Sequence, residues 1–446
     1  MDMASAPLAP QIWAPLEQHL LAGGSVALAC SGGLDSVVLA HAFRQRFPQC
    51  QARLLHVNHG LQAQADVWQQ QVGQWAEHWG FDYLSAKVEV VLNGQGLEAA
   101  AREARYAQFA AWQRPGEWLL LAHHQQDQLE TLMLRLMRGA GVSGLAGMRP
   151  LRPFSQGQIF RPFLRLAKEQ LLAYAQQQEL NWIEDPSNAD SRFDRNFLRQ
   201  QVMPLLAKRW PGYAKSWQRS QQHLAEIADL TEDRWQEMLS HRLTAEQGLK
   251  VVAWQDLPAQ DQYGLIRQWL ALWGLSMPSQ QWLQCLTQEL IFARPDGSPQ
   301  LSLTPDLEVR RYQSAIFMVP RLALPKLPSQ LGLEPIVSLE LGRLWLVPAL
   351  GDGRSAVLKA SAIPCQLRLR QEQDAIRIAR RQGLRSLKNV LQEYREPPWW
   401  RERLPILHLG EQIIALADLC VAEGFMAEPG EQGFRVHWQR PLPTIA

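Results

Sequence analysis

The sequence predicts an α/β fold for its first part, followed by a mainly helical middle domain and an α+β C-terminal domain. Short aliphatic runs alternate with amphipathic helical patterns over residues 26–138, which implies a parallel sheet covered on both faces. Helical periodicity dominates residues 222–300, and a β-rich pattern begins near Leu339. Three prolines mark a linker: Pro320, Pro325 and Pro328. The predicted domains are 1–215, 216–325 and 346–446, with the linker at 326–345.

Within the first domain, each element follows from its own pattern. The predicted strands are 26–30, 52–56, 81–88 and 118–122, and the predicted helices after the first strand are 66–78, 97–112 and 127–138. Ligands of a parallel sheet lie beyond the carboxyl ends of its strands. Three polar clusters, SGGLDS, HVNHG and AHHQQDQLET, fall at those ends. We therefore expect them to meet in one cleft.

The composition narrows the class of protein. A chain of 446 residues with 46% hydrophobic and 20% charged residues is typical of a globular protein of two or three domains. A net charge of +2 means that any nucleic-acid-binding surface must be local. Five cysteines without CxxC spacing argue against a zinc ribbon, an iron–sulfur site or a disulfide scaffold. With no secretory signal and no run of membrane-span length, we predict a cytoplasmic protein without a membrane partner.

The stretch VALACSGGLDSVVLAH, from Val26 to His41, is typical of a buried strand, a glycine turn and a helix. Such a turn aims backbone N–H groups and a positive helix end at one point, which suits a phosphate. A carboxylate at Asp35 would repel a phosphate unless Mg²⁺ bridged the two, so Asp35 is the predicted metal ligand and a catalytic residue. An ordinary strand–helix turn is the alternative. The predicted phosphate-binding residues are Ser31, Gly32, Gly33, Leu34, Asp35 and Ser36, with the two serines as hydroxyl donors.

The cluster AHHQQDQLET places two histidines and two carboxylates at the start of a predicted helix. A carboxylate-rich first turn that faces a cleft can bind a cation or accept a proton, but carboxylates there can also simply stabilise the helix. We predict a catalytic role for Asp127, with Glu130 and His124 as further candidates. His123 and His124 are adjacent and point in different directions, which argues against a zinc site.

Two further groups of arginines have helical spacing. Arg102 and Arg105 can hold phosphate on one helix face, and the alternative is an exposed face paired with Glu98. Residues 184–206 combine a DPSN turn with a basic helix, where three arginines recur on one face: Arg192, Arg195 and Arg199. These arginines can contact a phosphate backbone, or they can form a salt-bridged face with Asp190 and Asp194; both interpretations remain open.

The glycine-rich segment RGAGVSGLAGM is predicted to be a lid or a strand-to-strand connector.

Positive charge is concentrated near the C-terminus. Residues 366–404 hold ten basic and five acidic residues, an excess larger than that of the whole chain. Trp399 and Trp400 lie among them, and basic residues interleaved with aromatic ones are typical of a surface that follows a nucleic-acid backbone and stacks bases. A structural role is the alternative. The predicted contacts are Arg380, Arg381 and Lys388.

The motif SGGxDS after a strand resembles that of the PP-loop ATP pyrophosphatases, which cleave ATP between its α- and β-phosphates. An ordered set of motifs over most of the chain resembles the bacterial tRNA(Ile)-lysidine synthetases: SGGLDSVVLAH, HVNHGL, EAAAREARY, AHHxxDQxET, MRGAGxxGLAGM, EDPSNADSRFDRNFLR and GLRSLKNVLQEYREPPWWRERLPIL. One departure is Gln126, which stands where the family often carries the first of two consecutive acids.

This resemblance implies ATP and Mg²⁺ as cofactors, and tRNA(Ile) with a CAU anticodon and free L-lysine as partners. ATP would adenylate the wobble cytidine and release pyrophosphate, and the ε-amine of lysine would then displace AMP to form lysidine. His56 and Arg105 would bind the nucleotide, and Asp127 would bind lysine and help to remove its proton. The residues expected to contact tRNA are Arg102, Arg195, Arg199, Arg380, Arg381 and Lys388. A homodimer is a further expectation.

Two alternatives remain open at this point. A PP-loop tRNA thiolase is the alternative enzyme, but thiolases usually need paired cysteines, which this sequence lacks. A non-catalytic, nucleotide-dependent RNA-binding protein is the alternative of another class. Lysine-dependent release of AMP distinguishes these functions, because only lysine transfer requires both tRNA and free lysine.

Overall fold

The computed structural model describes residues 8–91, 96–275, 278–294, 299–352 and 354–441, without the side chains of Glu98 and Ala189. The chain divides into two compact units, Met1–Thr231 and Glu232–Ala446. Within the described ranges, no helix combines the length and the apolar composition needed to cross a membrane.

The first unit is organised around one mixed sheet. Its described strands are β1 (Val26–Ala29), β2 (Ala52–Asn58), β3 (Asp82–Lys87), β4 (Trp118–Leu120), β5 (Leu151–Phe154) and β6 (Gly157–Phe160). They are ordered β3-β2-β1-β4-β6-β5; β5 pairs antiparallel with β6, and the other neighbours are parallel. In this order β2 is the neighbour of β1 on one side, and β4 is its neighbour on the other side. The carboxyl ends of β1 and β4 therefore flank a topological switch point, where ligands of such sheets bind.

The described helices of the first unit are α1 (Ala14–Leu21), α2 (Leu34–Arg46), α3 (Ala65–His78), α4 (Leu97–Trp112), α5 (Gln125–Met137), α6 (Val142–Leu145), α7 (Lys168–Gln177), α8 (Asp194–Phe197) and α9 (Met203–Arg209). A further helix, α10 (Tyr213–Ser240), begins in this unit and ends in the second. Short 3-10 turns occupy Pro10–Trp13 and Pro186–Ala189, and a π-helix at Leu198–Val202 joins α8 to α9.

Both faces of the sheet are buried. Leu28 and Leu54 pack in one apolar cluster, whereas Ala27 and Leu55 pack in another with Phe109 of α4. Alternate side chains of a strand point to opposite faces, so a strand covered on both sides must be apolar throughout. Polar side chains can therefore collect at the strand ends, where the chain leaves the sheet.

The predicted α/β class is confirmed, and the helix at 97–112 has the bounds that its pattern predicted. The hairpin of β5 and β6 was not predicted, because two strands of four residues are too short to show a clear alternation. The glycine-rich segment joins α5 to β5, so it is a helix-to-strand connector. The side-chain amide of Gln128 binds the backbone N–H and carbonyl of Met148 at 2.7 and 2.8 Å, which fastens this segment to α5.

The second unit begins with helices packed on a small antiparallel sheet. Its elements are β7 (Leu249–Lys250), α11 (Ala259–Leu272), α12 (Gln280–Cys285), β8 (Gln300–Ser302), β9 (Leu307–Tyr312) and β10 (Ala315–Pro320), with a 3-10 turn at Trp254–Asp256 and a π-helix at Leu286–Ile291. The described strands are ordered β7-β10-β9-β8. Trp254 and Trp269 are buried between these elements, so these two tryptophans are core residues.

The rest of the second unit is mainly antiparallel sheet, as the β-rich pattern predicted. Its strands are β11 (Gln330–Leu331), β12 (Ile336–Ser338), β13 (Gly342–Leu350), β14 (Leu358–Lys359), β15 (Cys365–Arg368), β16 (Ala375–Ile376), β17 (Arg385–Ser386), β18 (Ile406–Leu409), β19 (Gln412–Leu416), β20 (Cys420–Val421) and β21 (Gln432–Gln439). Two short helices, α13 (Leu387–Glu393) and α14 (Pro398–Arg401), and a 3-10 turn at Ala360–Ala362 accompany them. The described strands form the sheets β11-β15-β18-β19-β20, β12-β13-β21-β14 and β16-β17.

Candidate active site

The SGGLDS loop joins β1 to α2, and the hydroxyl of Ser36 holds its shape from within. The Oγ of Ser36 accepts the N–H groups of Ser31 and Gly32, both at 3.2 Å, and donates to the carbonyl of Gly33 at 2.9 Å. Gly32 has a φ of +90°, and a Cβ there would lie 2.5 Å from the side chain of Ile183. Glycine is therefore required at this position. The turn is held by hydrogen bonds within the loop and needs no ligand to form.

The start of α2 offers an anion site. The N–H groups of Leu34 and Asp35 bond to no acceptor in the described part of the chain, as expected in the first turn of a helix. Gly33 lines a cavity, and the atom nearest to a Cβ built on it would be the Ser31 hydroxyl oxygen, at 3.6 Å. Packing of the protein therefore leaves room for a ligand here. The Ser31 hydroxyl lies 3.1 Å from that of Ser36, but Ser36 is buried and Ser31 is exposed, so Ser31 carries the hydroxyl that a ligand can reach.

Asp35 lies in the first turn of α2, and its two carboxylate oxygens have different surroundings. Oδ2 is 3.5 Å from the Nε2 of His124, whereas Oδ1 is buried and has no hydrogen-bond partner in the described ranges. A buried oxygen without a donor is costly, and it is the type of ligand that Mg²⁺ prefers. No group of three or more His, Cys, Asp or Glu side chains that could hold a metal occurs among the described residues. The Oδ1 of Asp35 is therefore a described atom that could hold a Mg²⁺ ion, and other ligands of such an ion would have to come from outside the described side chains.

A cavity of about 920 Å³ opens beyond the carboxyl ends of β1, β2 and β4 and adjoins a second cavity of about 620 Å³. His59 of the HVNHG cluster and Asp127 of the AHHQQDQLET cluster both line the larger cavity, beside the SGGLDS loop. The three clusters that are distant in sequence are thus brought to one place. The predicted residues that line this cavity are Ser31, Gly33, Leu34, Asp35, Ser36, Arg102, Arg105, Asp127, Arg195 and Arg199.

His56 lies behind the loop and lines the smaller cavity. It is 5% exposed, and its Nδ1 donates to the carbonyl of Cys30 at 2.9 Å. Burial lowers the pKa of His56 despite that hydrogen bond. The neutral ring therefore links the end of β2 to the end of β1, and it supports the loop from below.

His124 lies between Asp35 and Asp127 beneath the cleft. Its Nε2 is 3.5 Å from a carboxylate oxygen of each, and its Nδ1 accepts the N–H of Gln126 at 3.2 Å. The ring proton therefore lies on Nε2, between the two carboxylates. Burial lowers the pKa of His124, but the hydrogen bond to Asp35 and the charges of both carboxylates outweigh burial and raise it overall.

Asp127 is an ionised carboxylate in the wall of the cavity. Its Oδ2 accepts the N–H of His124 at 2.9 Å, and its Oδ1 is 3.6 Å from Arg199. Burial raises the pKa of Asp127, but the charges of His124, His123 and Arg195, together with the His124 N–H bond, outweigh burial and lower it overall. A carboxylate that remains ionised in this position is better suited to bind a cation than to accept a proton.

Glu130 is completely buried and holds an arginine of the 184–206 segment. Arg199 donates through Nε and Nη2 to the two oxygens of Glu130 at 2.7 and 3.0 Å, and Arg195 donates to the hydroxyl of Thr131 at 3.2 Å. Burial raises the pKa of Glu130, and Arg199 opposes that rise. Glu130 does not line either cavity, so it acts by fixing Arg199 at the cavity wall.

The expectation that Arg192 shares a helical face with Arg195 and Arg199 was wrong. The helix α8 begins at Asp194, and Arg192 lies in the preceding turn, where it pairs with Asp190 at 2.7 Å. The Asp190 side chain also accepts the backbone N–H of Arg192 at 3.0 Å, which closes a local turn. This side-chain-to-backbone hydrogen bond competes with helical hydrogen bonding, so the helix begins only after the turn.

Arg102 and Arg105 line both cavities from α4. The guanidinium of Arg102 lies 4.8 Å from the ring centroid of Tyr106 and donates to its hydroxyl at 3.3 Å. Burial raises the pKa of Tyr106, but four surrounding guanidinium groups outweigh burial and lower it overall: Arg102, Arg161, Arg105 and Arg152. This side of the cavity is therefore strongly positive. The side chain of Glu98, the alternative partner, lies outside the described residues.

Several lining residues were not singled out from the sequence. His59 lies in a polar cluster at a strand end, and Asp185 lies in a DPSN turn, so both had a signal that could have found them. Lys168 and Trp182 follow the β5–β6 hairpin, where no motif pointed to the cavity. Their positions depend on tertiary packing that a single sequence does not reveal.

The predicted basic surface lies in the second unit, and several of its arginines form ion pairs. Arg381 and Arg385 both bind Glu393 at 2.6 Å, and Arg368 binds Asp374 at 2.6 Å. Arg380 and Lys388 are exposed and form no ion pair with the described residues. Asp374 and Glu393 are already subtracted in the charge excess counted from the sequence, so these ion pairs leave that excess unchanged and decide which residues carry it.

The two tryptophans of this surface pack within the second unit. Trp399 contacts Tyr312 and Phe317 at ring separations of 6.0 and 5.8 Å, and Trp400 contacts Trp438 at 6.4 Å. Trp438 is 3% exposed, so Trp400 lies against the core. Both side chains therefore have a packing role in this structure.

A parallel sheet with an SGGLDS anion site at its switch point defines a nucleotide-binding protein of the PP-loop class. Three family models match the chain: the PP-loop domain over 9–206, the TilS substrate binding domain over 249–317 and the TilS substrate C-terminal domain over 365–438. The tRNA(Ile)-lysidine synthase of Serratia proteamaculans is 38% identical over 444 residues, which cover 98% of this chain and 99% of that protein. The chain belongs to the tRNA(Ile)-lysidine synthase family, and the resemblance drawn from its motifs is confirmed.

A second relative gives the same result. The tRNA(Ile)-lysidine synthase of Alkalilimnicola ehrlichii is 39% identical over 439 residues, which cover 96% of this chain and 97% of that protein. Among solved structures, the U34-tRNA thiolase of Methanococcus maripaludis aligns with a TM-score of 0.38 at 18% identity, over 46% of this chain and 72% of that chain.

Replacing Asp127 with Asn tests the electrostatics of the cavity wall. Because the pKa of Asp127 is lowered in the folded protein, its ionisation stabilises the fold above its ordinary pKa of about 4, and the contribution is lost as pH falls through the lowered value. We expect Asp127→Asn to lower the free energy of unfolding by about 1.5–3 kcal/mol at pH 7. That difference should shrink below pH 4 in urea titrations at several pH values. A difference that does not change between pH 7 and pH 2 would contradict this assignment.

Proposed function

We propose that the protein ligates free L-lysine to the 2-carbon of the wobble cytidine in the CAU anticodon of tRNA(Ile), using ATP, and so forms lysidine. Family membership over nearly the full chain supports this proposal. The observation that carries it is the presence of two opposite sites in one cavity. The start of α2 can bind an anion, and the ionised Asp127 can bind a cation.

The anion site suits ATP. The oxygen on C2 of cytidine is a poor leaving group, and joining it to AMP makes it displaceable. Ser31 and the N–H groups of Leu34 and Asp35 would hold the departing pyrophosphate, with the positive end of α2 behind them. His56 would keep the loop in place, and Arg105 would bind a phosphate from α4. Mg²⁺ held by Asp35 would offset the charge of the phosphates.

The cation site suits the side chain of lysine. The ε-amine arrives as an ammonium, because its ordinary pKa is about 10.4. Asp127 would bind that cation beside Arg199, which Glu130 holds 3.6 Å from Asp127. The lowered pKa of Asp127 favours this binding role over removal of the proton. His124 would keep Asp127 and Asp35 oriented toward the same cavity.

The arginines of the cavity and the exposed cations of the second unit are suited to contact the phosphates of the tRNA. A cytidine must leave the base stack to be reached, which favours an anticodon loop over a duplex. Arg102 and Arg195, with Arg199, would contact phosphates beside the unstacked base. In the second unit, the unpaired Arg380 and Lys388 would contact the tRNA body, together with Arg381, which shares the one carboxylate of Glu393 with Arg385. Phosphate contacts of this kind position an RNA without reading its sequence.

Further features of the assembly are part of the same proposal. The tRNA-binding part would consist of a middle domain at 216–325 and a C-terminal domain at 346–446, after the catalytic domain at 1–215. The segment 326–345, which was expected to be a linker, carries β11 and β12, and these pair with strands of the C-terminal part. The protein would act in the cytoplasm, where its substrates are present, and a homodimer is compatible with this function.

The thiolase alternative is not favoured by the cysteines. All five are free: Cys30, Cys50, Cys285, Cys365 and Cys420. Cys30 lines the larger cavity, but burial raises its pKa to about 11, so it stays a thiol at neutral pH. Sulfur transfer needs a reactive thiolate or a cluster, and Cys30 offers neither.

Transfer of radiolabelled lysine tests the function together with the role of Asp35. The wild type should label an isoleucine tRNA transcript with a CAU anticodon, should spare methionine tRNA, and should release AMP only when tRNA and lysine are both present. Asp35→Asn should lower labelling by at least ~100-fold, because the variant would no longer hold the Mg²⁺ that offsets the charge of the phosphates. Glu77→Gln, an exposed change at the opposite edge of the sheet, is the matched control.

The outcomes of this assay separate the candidate functions. No labelling by the folded wild type would contradict lysine transfer, and nucleotide binding without AMP release would favour the non-catalytic alternative. Undiminished labelling by Asp35→Asn would contradict the role of Asp35 alone.

Charge reversal at Arg380 and Lys388 tests the tRNA surface. The double variant Arg380→Glu/Lys388→Glu should weaken binding of the tRNA and flatten the dependence of affinity on salt, since phosphate contacts are lost. The charge-matched control is Arg46→Glu/Arg114→Glu, at the edge of the sheet opposite the cavity. Filter binding from 50 to 300 mM salt measures both effects. Equal affinities and equal salt slopes for the two double variants would show that the surface does not contact RNA.

A further inference from the structure

A buried arginine follows β6 without a carboxylate partner. Arg161 is 3% exposed, yet no carboxylate oxygen lies within 4.0 Å of its guanidinium in the described part of the chain. Its Nη1 donates to the carbonyl of Arg149 at 2.8 Å, and its Nε donates to the Nδ1 of His123 at 3.3 Å. Burial lowers the pKa of Arg161, and the nearby Tyr106 opposes that effect. A buried charge is costly unless it is paired, so an arginine held by neutral acceptors requires an explanation.

The contact with Arg161 decides the tautomer of His123. An arginine has no acceptor, so the Nδ1 of His123 must be the nitrogen without a proton, and a neutral ring then carries its proton on Nε2. His123 lines the larger cavity, and its Nε2 makes no hydrogen bond to any residue that the structure describes. The Nε2–H is therefore a donor available to a ligand in the cavity.

The surroundings keep this ring neutral. Burial lowers the pKa of His123 to about 3, assisted by the charges of Arg161, Arg102 and Arg105 and opposed by Asp127. Protonation would also place an N–H on Nδ1 directly opposite the Nε–H of Arg161. The adjacent His124 differs, because its ring faces two carboxylates.

We propose that Arg161 is a positioning residue that fixes His123 as a neutral Nε2–H donor to a substrate oxygen in the cavity. The inference rests on the proposed lysine transfer, which places a base carbonyl oxygen and phosphate oxygens there. A neutral donor can stabilise charge that develops on such an oxygen. It does so without repelling the lysine ammonium or competing with it for Asp127, as a charged imidazolium would.

Arg161→Met tests this role in the lysine-transfer assay. The variant removes the donor and the charge that oppose protonation of His123, while Asp127 remains. We expect kcat/KM at pH 8 to fall about 10- to 100-fold, as when other partners that orient a histidine are lost. The acid-side ionisation of His123 should move to higher pH than in the wild type but stay below the ordinary histidine pKa of ~6.5, because burial and the charges of Arg102 and Arg105 still oppose protonation. It should disappear in the double variant Arg161→Met/His123→Gln.

Matched variants separate positioning from structure. Arg152→Met removes another guanidinium that faces Tyr106, but Arg152 makes no hydrogen bond to His123, so its pH profile should match that of the wild type. Arg161→Lys keeps a charge and a donor and should recover part of the activity. If Arg161→Met lowers activity equally at every pH, Arg161 is merely structural and the proposal is overturned.

Nitrogen-15 NMR of selectively labelled histidines tests the tautomer in the wild type without any assay of activity. The His123 signals, assigned by their loss in His123→Gln, should show a bare Nδ1 and a protonated Nε2 from pH 5 to pH 8. A ring that titrates in that range, or that carries its proton on Nδ1, would overturn the proposal even if lysine transfer is fully active. Conversely, failure of the wild type to transfer lysine would contradict the proposed function and leave this measurement valid.

Discussion

The hydroxyl of Ser36 is the contact on which the arrangement of the cavity depends. By accepting two N–H groups of the loop and donating to the Gly33 carbonyl, it closes the turn between β1 and α2. The turn fixes where α2 begins, and that start places Asp35 beside His124. Through His124, the loop is connected to Asp127 at the start of α5, so two elements distant in sequence share one geometry.

The cavity holds charges of both signs. Arginines of α4 and the neutral His123 line it, and so do Asp35 and Asp127, which are both close to the His124 ring beneath them. An unpaired buried charge is costly, so breaking a buried ion pair is unfavourable. Paired residues such as Arg199 and Glu130 are therefore fixed in position. The result is a site that can hold a polyanion and an ammonium ion close together without neutralising either beforehand.

Much of this could be predicted from the sequence, and the exceptions have physical causes. The SGGLDS turn and the helix at 97–112 carry strong local signals, and the position of strand ends was enough to bring the clusters together. The burial of Glu130 could not be predicted, because its partner Arg199 is 69 residues away. The charge count of residues 366–404 could not show which cations are free, because the count does not reveal which of them pair in the fold. Arg161 carried no motif, and its importance depends on a contact across two strands.

The most direct test of this account is a crystal structure with Mg²⁺ and a non-hydrolysable ATP analogue. The account predicts that phosphate oxygens accept the N–H groups of Leu34 and Asp35, and that the metal ion lies on the Oδ1 of Asp35. A triphosphate bound elsewhere, with those two N–H groups still unbonded, would contradict it.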